Sequence, residues 1–192
     1  WRTLHPAWDF CTDFESGYPA DWDVTSDSAL LYVSTTMPFE GQRSLEWKYL
    51  VESGFTYKFL SKSYTDLHTR YYLRLSDNWT YDRNPNNGAQ SKATIWDGDV
   101  AAGHARFYMF QDTWGINTPN IQATFIKDSR EGPYGWDWLE GTTPFTWQNG
   151  RWYCVEAHVK LITPGMANGV AERCLDGVLQ SGHYNREFLG SS

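Results

Sequence analysis

The chain has 192 residues, enough for one domain with a substantial core and short of two comfortable ones. Its formal net charge is −7, and no Lys/Arg-rich run appears anywhere, which argues against nucleic acid as a partner. No apolar stretch is long enough to suggest a membrane span.

Aromatic residues make up 17% of the chain, with 11 Trp and 12 Tyr, more Trp than a core of this size needs. Flat rings stack on the C–H faces of sugars, so this composition favours carbohydrate contact. Core filling and cross-strand pairs account for most of the same rings. The chain begins at Trp1 rather than Met, which reads as a secreted, extracellular chain after signal removal, or as a fragment. Cys11, Cys154 and Cys174 allow one disulfide and one remaining thiol, and their spacing does not choose the pair. Asn78-Trp79-Thr80 is a glycosylation acceptor pattern.

Alternation with a period of two dominates the chain. The acidic-aromatic opening DFCTDFESGYPADWD (residues 9–23) precedes GQRSLEWKYLV, Gly41–Val51. There Leu45, Trp47, Tyr49 and Val51 lie on one side, with Ser44, Glu46 and Lys48 on the other. LHTRYYLRL, Leu67–Leu75, puts Tyr71, Leu73 and Leu75 on one face and His68, Arg70, Tyr72 and Arg74 on the opposite face. DRNPNNGAQ reads as a turn-rich spacer. ARFYMF (Ala105–Phe110) and IQATFI (Ile121–Ile126) read as strands by β propensity, and EGPYGWDWLEGTTP as a second spacer.

RWYCVEAHVKL, Arg151–Leu161, alternates most cleanly. Tyr153, Val155, Ala157, Val159 and Leu161 oppose Trp152, Cys154, Glu156, His158 and Lys160. Pro164-Gly165 and Asn168-Gly169 then turn the chain into VAERCLDGVL, a hairpin with a long loop, and Asp176-Gly177 marks a second turn. No segment beyond about two turns reads as an amphipathic helix. Many short strands between turns predict a single all-β domain over residues 1–192, an antiparallel β-sandwich or jelly roll.

These pieces and their order resemble the concanavalin A-like lectin/glucanase superfamily. The opening looks like its first strand, GQRSLEW like the strand that follows, and TRYYLRLSDNW like a strand of the polysaccharide-lyase-like secreted bacterial members. NGRWYCVEAHVKLITPG…NGVAERCLDGVL is similar to the hairpin that starts "G-x-W-Y" and returns to "D-G". The resemblance implies a concanavalin A-like fold. Two departures stand out. Ala171, Arg173 and Cys174 occupy positions usually aromatic in the return strand, and only Val178–Ser192 follow the "D-G" turn. A short or open sheet edge there suggests self-association.

Glycoside hydrolases on this fold pair carboxylates in E-x-D-x-x-E, and none of the nine Glu residues begins such a pattern. Asp137 and Glu140 in WDWLE fall in a Gly/Pro-rich segment read as loop. The other chemistry implied by the resemblance is β-elimination from uronic-acid polysaccharides. It needs a cation on the sugar carboxylate, a base for the acidified C–H and an acid for the leaving oxygen. The polar strand faces supply these types. His158, Tyr72, Arg70 and Lys48 are the expected catalytic group, and Arg74, Glu46, Glu156, Lys160, Lys92, Arg106, Tyr108 and Trp96 the expected substrate contacts, with Gln111 as an extension. The competing account for Glu156 and Lys160 is a set of exposed cross-strand ion pairs.

No cofactor is expected, apart from a structural Ca²⁺ at Asp97 and Asp99 in Trp96-Asp97-Gly98-Asp99. HExxH, CxxC and phosphate-loop motifs are absent. Three functions follow as expectations: an acidic-polysaccharide lyase, a non-catalytic glycan-binding module with groove-lining Trp96, Trp114, Trp136 or Trp138, and a self-assembling extracellular subunit.

Overall fold

A computed structural model describes residues 7–17, 22–25, 31–48, 56–62, 64–79, 90–97, 106–112, 120–126, 136–139, 148–161, 163 and 166–186. Among them are twelve strands and no helix, and every strand pair is antiparallel. Among the described residues no helix is long and apolar enough to cross a membrane. The chain forms two compact units, Trp1–Ser63 and Tyr64–Ser192.

In the first unit, β1 (Val24–Thr25) pairs with β4 (Thr56–Tyr57), and β2 (Leu31–Ser34) with β3 (Ser44–Trp47). Leu31 and Ser34 are the buried ends of β2. β3 is shorter than the alternation over Gly41–Val51 predicts: it stops at Trp47, and residues 49–51 lie outside the described residues.

The acidic-aromatic opening, expected as a strand, forms turns over its described residues 9–17. Side-chain oxygens take the amides that a ladder would need. Phe14 N donates to Thr12 Oγ1 at 3.3 Å, Glu15 N to Asp13 Oδ1 at 3.1 Å, and Phe14 itself has φ 63°. The carboxylates of this segment reach other parts of the unit. Glu15 Oε1 accepts from Gln42 N at 2.8 Å and Arg43 N at 2.9 Å, and Asp9 accepts from the amide and hydroxyl of Ser61.

The second unit contains two four-stranded sheets. One has the order β12-β11-β10-β5, from β5 (Asp66–Arg74), β10 (Trp152–Lys160), β11 (Gly169–Leu175) and β12 (Val178–Arg186). The other runs β6-β7-β8-β9, from β6 (Gln90–Asp97), β7 (Arg106–Asp112), β8 (Asn120–Ile126) and β9 (Trp136–Leu139), and is described by its backbone. β9 corrects the reading of WDWL as loop. Its alternating aromatic residues have high β propensity, and the flanking glycines bound the strand without breaking it. β6 likewise includes Asp97, expected in a turn, while Asp99 lies outside the described residues.

The core lies on one face of the first of these sheets. Along β10, Tyr153, Val155, Ala157 and Val159 are buried in strict alternation with half-buried neighbours, as the sequence predicts. Tyr153, Val155, Leu75 and Leu175 form a cluster flanked by Tyr71, Leu73 and Trp79. Arg173 enters the same core face, 2% exposed, where burial pushes its guanidinium down to about 10.

The long-loop hairpin joins β10 to β11, and Thr163 N donates to Asn168 Oδ1 at 2.8 Å within its loop. The Asp176-Gly177 turn joins β11 to β12 with Leu175 opposite Val178. Both turn residues have positive φ, 49° and 77°, the pattern of a two-residue type I′ turn. Residues after this turn therefore add a nine-residue edge strand, which the sequence reading did not assign.

Candidate functional site: a polar row over β5, β10 and β11

Register brings the second face of this sheet together in rows. His158 lies opposite His68 on β5 and Glu172 on β11. Glu156 lies opposite Arg70 and Cys174, Cys154 opposite Tyr72, Trp152 opposite Arg74, and Lys160 opposite Asp66. Directly opposed residues on antiparallel strands have Cβ atoms about 5 Å apart, so each row puts its side chains within reach of one another.

The row of His158 is the most ordered. His158 Nδ1 is 2.9 Å from Glu172 Oε2, and Nε2 is 2.8 Å from Asp66 Oδ1. Both ring nitrogens are thus engaged by carboxylates. His68 stacks on this ring at 4.0 Å between centroids and 6° between planes. Glu172 is itself held from the other side, where Tyr184 Oη donates to Oε1 at 2.5 Å. That bond and the one from His158 keep the Glu172 carboxyl below its ordinary range, and the same contact raises Tyr184.

One row on, Arg70 Nε and Nη2 donate to Glu156 Oε1 at 2.8 and 2.5 Å, and the Glu156 carboxylate raises the Arg70 guanidinium. The cross-strand ion-pair account is therefore correct for Glu156, with Arg70 as its partner. Tyr72 lies beyond, hydrogen-bonded with Cys154, whose thiol is pushed up chiefly by burial. Arg74 is tied into the loop beside the strand: Nε donates to Gly150 O at 3.0 Å and Nη2 to Asp77 Oδ1 at 2.8 Å. Lys160 is exposed and makes no ion pair among the described residues.

The structure thus brings together six of the expected residues: His158, Arg70, Tyr72, Arg74, Glu156 and Lys160. Glu46 and Lys48 belong to the first unit. There Glu46 Oε1 accepts from Tyr32 Oη at 2.7 Å, and Lys48 Nζ lies 5.1 Å from the centre of the Tyr32 ring. Lys92, Trp96, Arg106 and Tyr108 sit in β6 and β7, where the described backbone gives only register. Arg106 pairs with Asp97, Tyr108 with Ile95, Lys92 with Phe110 and Trp96 with Phe107. Trp114 lies outside the described residues, and Trp136 and Trp138 are described by backbone alone. No disulfide links the three cysteines.

The sequence reading missed Asp66, Glu172 and Tyr184. Asp66 continues the period-two row of His68, Arg70, Tyr72 and Arg74, a signal that was available. Glu172 and Tyr184 reach the site only through the β10–β11–β12 register. Asp66, His68 and His158 are the described residues able to hold a cation together.

No model of a known protein family matches the chain, and no curated protein matches it. Two solved structures do. The endo-β-1,4-glucuronan lyase of the fungus Trichoderma reesei is similar over 91% of this chain and 76% of its own, with TM-score 0.62 and 15% identity. The marine PL-14 alginate lyase of Aplysia kurodai is similar over 84% of this chain and 72% of its own, with TM-score 0.58 and 14% identity. At these identities the likeness is one of fold. The structural neighbours are polysaccharide lyases, and the fold of this chain is the all-β, antiparallel sandwich or jelly roll that its alternation predicts.

Proposed function

We propose that this chain is a secreted, extracellular domain of the concanavalin A-like superfamily that recognises an acidic polysaccharide and cleaves it by β-elimination. The observation that carries the reading is the polar row over β5 and β10. Arginine, tyrosine, histidine and lysine side chains stand in consecutive register positions on one face, in a fold shared with two polysaccharide lyases.

Each step of elimination has a group of the right type on that face. Arg70 keeps Nη1 outside its pair with Glu156, and Lys160 projects into solvent. These two are the proposed neutralisers of a uronate carboxylate, which acidifies the neighbouring C–H. Tyr72, one row away, is the proposed proton-transfer residue. It removes the C–H proton as the base or protonates the leaving oxygen as the acid. His158 is the second such group. With both ring nitrogens against carboxylates it acts as a base only after releasing Asp66. Arg74, Glu156 and Trp152 border the row. Glu46 and Lys48 are proposed sugar contacts of the first unit, and Lys92, Trp96, Arg106 and Tyr108 of β6 and β7.

A non-catalytic glycan-binding module is the second reading, and one observation favours it. Arg70, Arg74 and His158 are already matched by Glu156, by Asp77, and by Asp66 with Glu172, which lowers their pull on an anionic chain.

Ultraviolet absorbance during incubation with glucuronan, alginate, pectate and heparin-like chains tests the proposal, because each elimination creates a conjugated C=C. A rise with one polymer that Tyr72→Phe abolishes is the expected result. Flat traces with folded protein, alongside retention on an immobilised acidic polysaccharide, would replace cleavage by binding.

A further inference from the structure

We infer that Asp66, His68 and His158 form a binding site for a divalent transition-metal ion of the zinc type. This inference is independent of the proposed function: the site forms whether or not the surrounding face cleaves a polysaccharide.

Each of the three residues offers one ligand atom, and these atoms all lie within 4.8 Å of one another. Asp66 Oδ1 is 2.8 Å from His158 Nε2 and 3.7 Å from His68 Nε2. Bonds of about 2.0–2.1 Å to a tetrahedral ion place neighbouring ligand atoms roughly 3.3 Å apart. The two observed separations bracket that value. The backbone places the three residues side by side, since His68 and His158 are directly opposed across β5 and β10, and Asp66 precedes His68 by two residues on the same face. Rigid strands, not loops, carry all three.

The donor set selects the ion. Two imidazoles and one carboxylate suit zinc and its first-row neighbours, whereas calcium and magnesium require mostly oxygen. Three protein ligands leave a fourth position open to water.

A second observation separates this cluster from an ordinary exposed group of charges. Glu172 stands against Nδ1 of His158 at 2.9 Å, and Tyr184 holds Glu172 at 2.5 Å. A carboxylate on the far nitrogen fixes the tautomer whose Nε2 lone pair faces the ion, and it raises the ring's basicity as a ligand. An ion would take the place of the direct contact between His158 Nε2 and Asp66 Oδ1, while Nδ1 keeps its contact with Glu172. The two rings are parallel, so one ion cannot lie in both ring planes as they stand. His68, whose side chain is 74% exposed, is the ring free to turn.

The test is calorimetric titration of chelator-stripped, dialysed protein with Zn²⁺, accompanied by the visible spectrum with Co²⁺. The expected result is one saturable ion per chain and Co²⁺ bands of a four-coordinate nitrogen–oxygen site. His68→Ala and Asp66→Asn, both exposed and checked for fold by circular dichroism, each weaken binding about tenfold or more. Glu172→Gln weakens it about ten- to a hundredfold with the stoichiometry unchanged. Absence of saturable binding to the wild-type protein would overturn the inference, as would affinity that both His68→Ala and Asp66→Asn leave intact.

Discussion

His68 and His158 face each other across β5 and β10 with their rings 4.0 Å apart and 6° from parallel. Their environments differ sharply. The His68 side chain is 74% exposed, while that of His158 is 20% exposed and clamped between Asp66 and Glu172. One ring is held between two carboxylates on the sheet surface, and the other stacks on it with most of its side chain in solvent.

That asymmetry predicts unequal effects on stability. His158→Ala removes two charge-assisted hydrogen bonds and leaves two carboxylates facing a gap, at a cost of about 2 kcal/mol. His68→Ala lies within about 0.5 kcal/mol of wild type, as exposed substitutions generally do. Urea unfolding of both variants at neutral pH checks the order, and equal losses would refute the asymmetry.

Arg70 and Glu156 form a pair that is close but partly exposed, 45% and 30% in their side chains. Solvent screening limits its worth, so a double-mutant cycle through Arg70→Ala and Glu156→Ala is expected to give a coupling of about 0.5 kcal/mol. High salt reduces the coupling further. A value that salt does not change would mean the pair is better shielded than its exposure indicates.

In the first unit, the Tyr32 hydroxyl stabilises the ionised form of Glu46, holding its carboxyl below the ordinary value of 4.5. A folded-state value below the unfolded one means the contribution is fully present above pH 4.5 and is lost as pH falls through the folded value. Tyr32→Phe is therefore expected to cost about 1 kcal/mol near neutral pH. The gap from wild type narrows steadily below pH 4.5. Thermal unfolding across that range measures it, and a gap that widens in acid would reverse the sign.

The Asp176-Gly177 turn sets the β11–β12 register. Asp176 Oδ1 accepts from Cys154 N at 2.9 Å and Oδ2 from Arg151 Nη2 at 2.7 Å, while Gly177 holds φ 77°. Gly177→Ala meets no neighbouring atom and costs only the left-handed backbone penalty, about 1 kcal/mol. Asp176→Ala loses both bonds as well as placing alanine at φ 49°, and costs about 2 kcal/mol or more. Chemical denaturation of the two variants checks the order, and a loss in Asp176→Ala no larger than in Gly177→Ala would mean the two hydrogen bonds contribute nothing.

Much of the fold was legible where alternation was strong and local. Tyr153, Val155, Ala157 and Val159 announce the buried face of β10, and Tyr71 and Leu73 the core-facing side of β5, with Leu75 just past its end. Weaker patterns misled. WDWL sits between glycines and so reads as loop, yet it pairs with β8 through backbone hydrogen bonds that composition does not reveal. β2 and β12 were missed for a similar reason: LYVS is short, and VLQSGHYNR mixes polar residues and a glycine, as an edge strand can.

For the candidate site, the residue types on each strand were readable, but which side chains meet depends on register. Nothing local to HVK or VAER states that His158 stands opposite Glu172. The loop between β10 and β11 decides it, and the pairing of β10 with β5, 86 residues away along the chain, decides that Arg70 finds Glu156.

The most direct test of cleavage by elimination is the mass of the products from glucuronan and alginate incubated with the protein. Elimination adds no water, so each cut is predicted to leave a new non-reducing end one water lighter than a hydrolytic fragment, with yields falling in Tyr72→Phe. Fragments carrying the added water, or an intact polymer after prolonged incubation with folded protein, would contradict the account.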